Sequence, residues 1–213
     1  MKIALIGGTG FVGSALLDEL LQRGHQVTAL ARDPAKYADR AGLTAVRADV
    51  MQADQVAAAV RGHDAVASAF NPGWQDPALH DNFLKGSQAI VDGTKQAGVA
   101  RLIVVGGAGS LYVAPGVQLV DTPAFPQEWK QGALAAREAL NRIRQETTLA
   151  WTFVSPAALL QPGPRTGTFR LGTDELLMDG AAPAKLSVAD LAVAIVDELE
   201  APRHVRARFT AGY

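Results

Sequence analysis

The residue pattern with the clearest chemical meaning is the run Gly-Gly-Thr-Gly-Phe-Val-Gly at positions 7–13. It follows a short apolar segment, 2–6, and precedes an amphipathic one, 11–23. Between a strand and a helix, glycines at this spacing permit a tight turn, close approach of a diphosphate and close packing of the helix. The free N–H groups at the start of the helix favour binding of an anion. The residues expected to contact a dinucleotide phosphate here are Gly7, Thr9, Gly10, Phe11 and Val12.

The second predicted strand, 26–31, ends beside a cation rather than a carboxylate. A carboxylate at this place accepts from the ribose 2′-hydroxyl of NAD, whereas the 2′-phosphate of NADP requires a cation. Arg32 follows the strand directly, and Lys36 lies one helical turn further on. Asp33 is expected to cap the short helix that begins at Pro34. The sequence therefore favours NADP as cofactor over NAD, unless Arg32 is simply a solvated surface charge.

The composition excludes several other kinds of chemistry. The 213 residues contain no cysteine, which excludes disulfides, thiolate metal sites and cysteine nucleophiles. The four histidines are scattered, so no metal site is predicted. Twenty basic and 21 acidic residues argue against nucleic acid or an anionic membrane as partner. Because no apolar stretch reaches the roughly 18 residues of a membrane helix, and the N-terminal apolar run is short, a cytoplasmic location is expected.

Short apolar segments alternate with amphipathic ones along the first 155 residues. Such alternation is typical of a parallel sheet covered by helices on both faces. Right-handed crossovers then give an α/β fold with a Rossmann-type, doubly wound parallel sheet. Strands are expected at 2–6, 26–31, 43–48, 64–70, 101–105 and 150–155, and helices at 11–23, 53–61, 79–97 and 127–146.

The remaining residues are expected to form a small C-terminal cap over one end of the sheet, within a single domain spanning 1–213. The segment 157–186 is assigned to the substrate side. The elements predicted here are a hairpin of 168–171 and 175–178, a helix opened by a capping box of Ser187 and Asp190, and a last strand over 206–210.

The glycine run resembles that of the short-chain dehydrogenase/reductase superfamily. The nearest resemblance is to the atypical, NmrA-like NAD(P)H-binding proteins, which include NADH-flavin reductase-like and biliverdin reductase B-like members. It extends over the segments 31–34, 48–49, 69–72, 104–110, 155–156 and 187–192. The resemblance implies that residues at the strand ends also border the cofactor, and these are Asp49, Val50, Phe70, Asn71, Gly106, Gly107, Ser155 and Pro156. Asp49 could equally cap its own loop.

The chain departs from the superfamily by lacking its usual acid, the tyrosine of a Tyr-x-x-x-Lys pair. None of the three tyrosines, Tyr37, Tyr112 and Tyr213, has a lysine four residues on. A carbonyl reductase must protonate a developing alkoxide, whereas a flavin or quinone delocalises the charge and takes its proton from solvent. The expected function is therefore NAD(P)H-dependent hydride transfer to a flat small-molecule acceptor, with Ser110 and Tyr112 orienting the acceptor and Trp74 stacking on it.

Alternatives stay open at each of these points. A non-catalytic NAD(P)-binding regulator or redox sensor would share the glycine run, and a carbonyl-reducing or isomer-forming enzyme could use an unrecognised acid. Ser110 could hydrogen-bond within its loop, Tyr112 could pack at the sheet edge, and Trp74 could hold its own loop in place. Both a monomer and a homodimer are compatible with the sequence.

Overall fold

The apolar segments form the strands of one central sheet, and the amphipathic segments form the helices on its faces. The computed structural model describes residues 1–213. The strands are β1 (Lys2–Ile6), β2 (Gln26–Ala31), β3 (Leu43–Arg47), β4 (Ala65–Ser68), β5 (Arg101–Val105), β6 (Tyr112–Ala114), β7 (Val117–Gln118), β8 (Ala150–Ser155), β9 (Leu159–Gln161), β10 (Arg170–Gly172), β11 (Met178–Asp179), β12 (Ala182–Pro183), β13 (Lys185–Ser187) and β14 (Ala207–Gly212). The helices are α1 (Phe11–Gln22), α2 (Ala53–Val60), α3 (Leu79–Gln96), α4 (Gln127–Ile143) and α5 (Val188–Glu200).

The central sheet has eight strands in the order β3-β2-β1-β4-β5-β8-β14-β10. All neighbours pair in parallel except β10, which lies antiparallel to β14 at one edge. The predicted doubly wound parallel sheet is confirmed. Because the chain order reverses on either side of β1, the carboxyl ends of β1, β2 and β4 border a crevice, the usual ligand site of such sheets.

Both faces of the sheet are buried, which explains why its strands are apolar almost throughout. Ile3 and Leu5 face α1 and α5 in one core cluster of 21 buried residues. Ala4 and Ile6 point the other way, into a cluster of 16 buried residues under α2, α3 and α4. Each fully buried leucine or isoleucine contributes about 1.5–3 kcal/mol to folding. The two clusters hold the strand ends in fixed positions relative to one another.

The C-terminal segment differs from the prediction in two respects. The predicted hairpin is wrong, because β10 pairs with β14 and β11 pairs with β12. The capping box is half correct, because Ser187 Oγ accepts the N–H of Asp190 at 3.0 Å. The Asp190 carboxylate does not return to Ser187. It accepts instead from the backbone amides of Thr166 and Gly167, both at 2.8 Å.

The last helix and strand belong to the main layers rather than to a cap. Helix α5 packs beside α1, and β14 joins the sheet next to β8. The short strands β9, β11, β12 and β13 lie outside the central sheet. No helix has the length and apolar character needed to cross a membrane.

Candidate dinucleotide site

The glycine loop between β1 and α1 is packed too closely for side chains at two of its positions. Gly7 has a φ of +79°, and a Cβ there would lie 2.4 Å from the carbonyl oxygen of Ala69. A Cβ at Gly13 would lie 2.0 Å from the carbonyl oxygen of Gly7. The Gly10 amide donates to that same carbonyl at 3.0 Å. The first and third glycines are therefore required by backbone packing, as the spacing predicts.

The start of α1 offers unpaired amides to a ligand. Gly10 is the N-cap residue and provides no side-chain cap, and the first turn carries no acidic residue. The first helical hydrogen bond runs from the Ser14 amide to the Gly10 carbonyl at 2.8 Å. The amides of Phe11, Val12 and Gly13 have no acceptor within the protein. Unpaired amides and the positive end of the helix dipole together favour a phosphate group at this point.

A cleft of about 360 Å³ lies at the carboxyl ends of β1 to β4, next to the glycine loop. This is the crevice expected from the strand order. Its walls combine backbone, apolar side chains and a few polar groups, which is the composition of a nucleotide site. The sequence-predicted residues that line it are Gly7, Thr9, Arg32, Asp49, Val50, Phe70 and Asn71.

Arg32 and Lys36 are exposed cations at the mouth of this cleft. Neither side chain forms a hydrogen bond or a salt bridge with another part of the protein, so both are free to bind a ligand. Asp33 is engaged locally, because its carboxylate accepts the Ala35 amide at 3.3 Å and caps the turn Pro34–Lys36. The predicted capping role of Asp33 is confirmed. The end of β2 therefore presents positive charge to the cleft.

Other polar side chains that line the cleft shape their own loops. Asp49 Oδ1 accepts the Met51 amide at 3.0 Å, and Asn71 Oδ1 accepts the Gly73 amide at 2.8 Å. The ring of Phe70 lies against Gly86 of α3, where a Cβ would be 2.3 Å from its Cε1. Asp49 thus has the loop-capping role named as its alternative, while it still borders the cleft.

Four other residues predicted to border the cofactor lie at the ends of β5 and β8, outside the lining of this cleft. They are Gly106, Gly107, Ser155 and Pro156. A Cβ at Gly106 would be 2.0 Å from Cζ of Phe153. Ser155 is fully buried, and its hydroxyl has no hydrogen-bond partner. Gly107 and Pro156 are half-buried beside them. The contacts of these residues with a cofactor stay predictions.

Ser110 is placed in a buried network rather than at an open surface. It is 2% exposed, and Arg208 Nη1 donates to its hydroxyl at 2.9 Å and to its carbonyl at 3.0 Å. Arg208 also contacts the carboxylate and carbonyl of Asp174. Burial lowers the pKa of the Arg208 guanidinium, and Asp174 opposes that change. Ser110 therefore has the loop hydrogen-bonding role that was the alternative to orienting an acceptor.

Tyr112 and Trp74 keep the accessibility that an acceptor contact requires. Tyr112 is half-buried, its amide donates to the Asp174 carbonyl at 2.9 Å, and its hydroxyl has no partner. Trp74 is 58% exposed. The edge of its indole rests on α4, where a Cβ at Gly132 would be 2.7 Å from its Cζ3. Trp74 thus holds its loop against α4 and still presents a free ring surface.

Helix α4 faces the loop after β5 with small apolar side chains. A Cβ at Gly109 would be 2.8 Å from that of Ala133, and one at Gly107 would be 3.5 Å from that of Ala136. Both alanines are buried. The α4 side chains closest to this loop therefore cannot exchange a proton.

Several cleft residues were missed from the sequence. Tyr37, Met51, Asp76 and Asn82 line the cleft. Asp76 accepts the Ala78 amide and the Asn82 side-chain amide, each at 2.8 Å, and these hydrogen bonds lower the pKa of its carboxyl. The Asp-Pro pair just before α3 was the available signal for this turn. No group of three or more potential ligands is close enough to hold a metal ion.

Comparison with known proteins agrees with this geometry. Residues 7–199 match the family described as NAD(P)H-binding. The chain is 38% identical to the uncharacterised protein YwnB of Bacillus subtilis over 99% of this chain and 97% of YwnB. It is similar to the structure of a candidate epimerase from Bacteroides thetaiotaomicron (46% identity, TM-score 0.93, 100% of this chain and 96% of that one).

A second solved structure is that of a candidate NADH-flavin reductase from Streptococcus pneumoniae TIGR4. It has 33% identity and a TM-score of 0.85, and the match covers 100% of this chain and 99% of that one. The glycine loop, the uncapped helix start and the cleft at the strand ends all fit a nicotinamide dinucleotide. The chain belongs to the NAD(P)H-binding family.

Proposed function

We propose that the protein is an NADPH-dependent oxidoreductase that transfers a hydride to a flat, conjugated small-molecule acceptor such as a flavin or a quinone. The observation that carries this proposal is a complete phosphate-binding loop beside a helix, α4, that presents Ala133 and Ala136 instead of an acid. The first feature supports binding of the cofactor. The second favours acceptors that need no proton donor on α4.

The protein's contribution on the cofactor side is binding and orientation. The amides of Phe11, Val12 and Gly13 hold the pyrophosphate, because they have no acceptor of their own. Arg32 and Lys36 hold the 2′-phosphate, because they are the unpaired cations at the end of β2. When bound, the reduced nicotinamide supplies the hydride, which is chemistry that belongs to the cofactor itself.

The acceptor lies on the side of α4 and the loops that follow β4 and β5. The exposed ring of Trp74 stacks on it, and the free hydroxyl of Tyr112 donates a hydrogen bond that orients it. Aromatic stacking of this kind contributes about 0.5–1.5 kcal/mol beyond burial. The acceptor gains the hydride and then one proton from solvent, since its ring system delocalises the negative charge in between.

The similarity to a protein named as a candidate NADH-flavin reductase supports this reaction class. The similarity to a candidate epimerase supports it less, because an epimerase needs acid and base groups, whereas the α4 side chains nearest the loop after β5 are Ala133 and Ala136.

The test is steady-state oxidation of NADPH, followed at the absorbance of the reduced nicotinamide, with FMN, riboflavin and a soluble quinone as acceptors. We expect turnover above the non-enzymatic rate with at least one acceptor, and a smaller kcat/KM with NADH. Binding of NADP⁺ without turnover on any acceptor would contradict the proposal and favour a regulator or sensor.

A further inference from the structure

Tyr37 links two parts of the dinucleotide site that are separate in sequence. It directly follows the turn Pro34–Lys36, which carries one of the unpaired cations. Its half-buried ring packs against the core cluster under α1, and the residue lines the cleft. A Cβ at Gly8 would lie 2.7 Å from the Tyr37 hydroxyl oxygen, which is the atom closest to that position. The phenol therefore rests against the glycine loop.

The proton of the Tyr37 hydroxyl has no acceptor within the protein. The hydroxyl donates to no carbonyl, carboxylate or other acceptor of the chain, although its ring is held in place. Burial raises the pKa of the Tyr37 phenol, and a hydrogen bond from the Gly8 backbone amide to the hydroxyl oxygen opposes that change. A tyrosine phenol keeps its proton at neutral pH, so the hydroxyl is available as a donor.

We infer that Tyr37 is a binding residue for the dinucleotide, whose hydroxyl donates a hydrogen bond to a pyrophosphate oxygen in the cleft. The contact with Gly8 fixes the hydroxyl at the glycine loop rather than at the ribose end, so its acceptor is a group shared by NADP and NAD. The same contact holds the loop in the shape that exposes the α1 amides. This inference rests on the proposed dinucleotide site. It does not depend on the identity of the acceptor or on turnover.

The first test is calorimetric titration of Tyr37→Phe with NADP⁺ and with NAD⁺. Loss of a hydrogen bond to a charged group should weaken binding of both nucleotides about tenfold. Tyr213→Phe is the matched control, because its hydroxyl donates to Asp190 Oδ2 at 2.6 Å, away from the cleft. Wild-type affinity for both nucleotides in Tyr37→Phe, or an equal loss in Tyr213→Phe, would overturn the inference.

The second test compares the effect of Gly8→Ala on the affinity for NADP⁺ in the wild-type and Tyr37→Phe backgrounds. In the wild-type background Gly8→Ala should weaken NADP⁺ binding strongly, because its Cβ meets the phenol oxygen. In the Tyr37→Phe background that atom is absent, so the same substitution should weaken binding by a smaller factor. Equal factors in both backgrounds would overturn the inference. Because only binding is measured, a wild-type protein that binds NADP⁺ but reduces no acceptor would contradict the proposed function alone.

Discussion

Replacement of Arg32 by aspartate should reverse the proposed preference for NADP over NAD. Arg32 follows β2 directly, is exposed, and has no partner in the protein. The substitution therefore removes a ligand contact without removing a contact of the fold. We expect a change in the free energy of unfolding within about 0.5 kcal/mol, as for other unpaired surface residues.

The size of the effect follows from the charges involved. A hydrogen bond to a charged group contributes about 1.5–3 kcal/mol, so loss of the guanidinium should weaken NADP⁺ binding roughly 10- to 100-fold. The new carboxylate adds repulsion of the 2′-phosphate and can accept from the 2′-hydroxyl of NAD⁺. Because the site is exposed, the loss should be smaller at high ionic strength.

The assay is calorimetric titration of NADP⁺ and NAD⁺ at low and at physiological ionic strength. Arg61→Asp serves as the control, since Arg61 is also an exposed arginine without a partner but does not line the cleft. We expect Arg61→Asp to bind both nucleotides like the wild type. An unchanged ratio of the two dissociation constants in Arg32→Asp would refute the assignment of Arg32 to the 2′-phosphate.

Three further predictions concern the loop, the acceptor side and a buried charge. Gly13→Ala should lower the free energy of unfolding by about 1–3 kcal/mol and abolish measurable NADP⁺ binding, because its Cβ would meet the Gly7 carbonyl at 2.0 Å. Urea unfolding and calorimetry measure the two effects, and Ser14→Ala, at an exposed position, should change neither the stability nor the affinity. Trp74→Ala should raise KM for the acceptor about two- to tenfold in steady-state assays while the Kd for NADP⁺ stays constant; an unchanged KM would refute stacking. Hydrogen bonding from Arg165 lowers the pKa of the Glu19 carboxyl in the folded protein. The ionised carboxylate therefore stabilises the fold above the unfolded-state pKa of about 4.5, and this stabilisation is lost as the pH falls through the lower folded-state pKa. Urea unfolding of Glu19→Gln should therefore give a lower free energy of unfolding than wild type at neutral pH. The difference between the two proteins should shrink below about pH 4.5, and a difference that stays constant with pH would contradict this linkage.

The fold could be predicted closely because its signals are local. The buried strands are continuous apolar runs, and Gly13 is required by its contact with Gly7 six residues earlier, although Gly7 itself packs against Ala69. The ends of elements were less accurate. Helix α4 ends at Ile143, three residues before the predicted end, where no glycine or proline marks the boundary.

The errors and omissions involve contacts between residues distant in sequence. Strand β10 pairs with β14, whose partners lie about 40 residues further on, so a local hairpin was the wrong interpretation. Ser110 is bound by Arg208, 98 residues away, and no local pattern predicts that contact. Tyr37 was missed because the glycine loop that its hydroxyl contacts lies 29 residues earlier in the chain. The sequence thus predicts which residues can bind phosphate, while the packing determines which hydroxyls and cations are left unpaired.

The central claim is that the unpaired amides at the start of α1 hold the pyrophosphate of a nicotinamide dinucleotide. Amide proton chemical shifts, followed by NMR during titration with NADP⁺, test it directly. The account predicts saturable downfield shifts for the amides of Phe11, Val12 and Gly13, larger than those anywhere on α5. Amide shifts at these three residues that stay constant while NADP⁺ is added to saturation would contradict it.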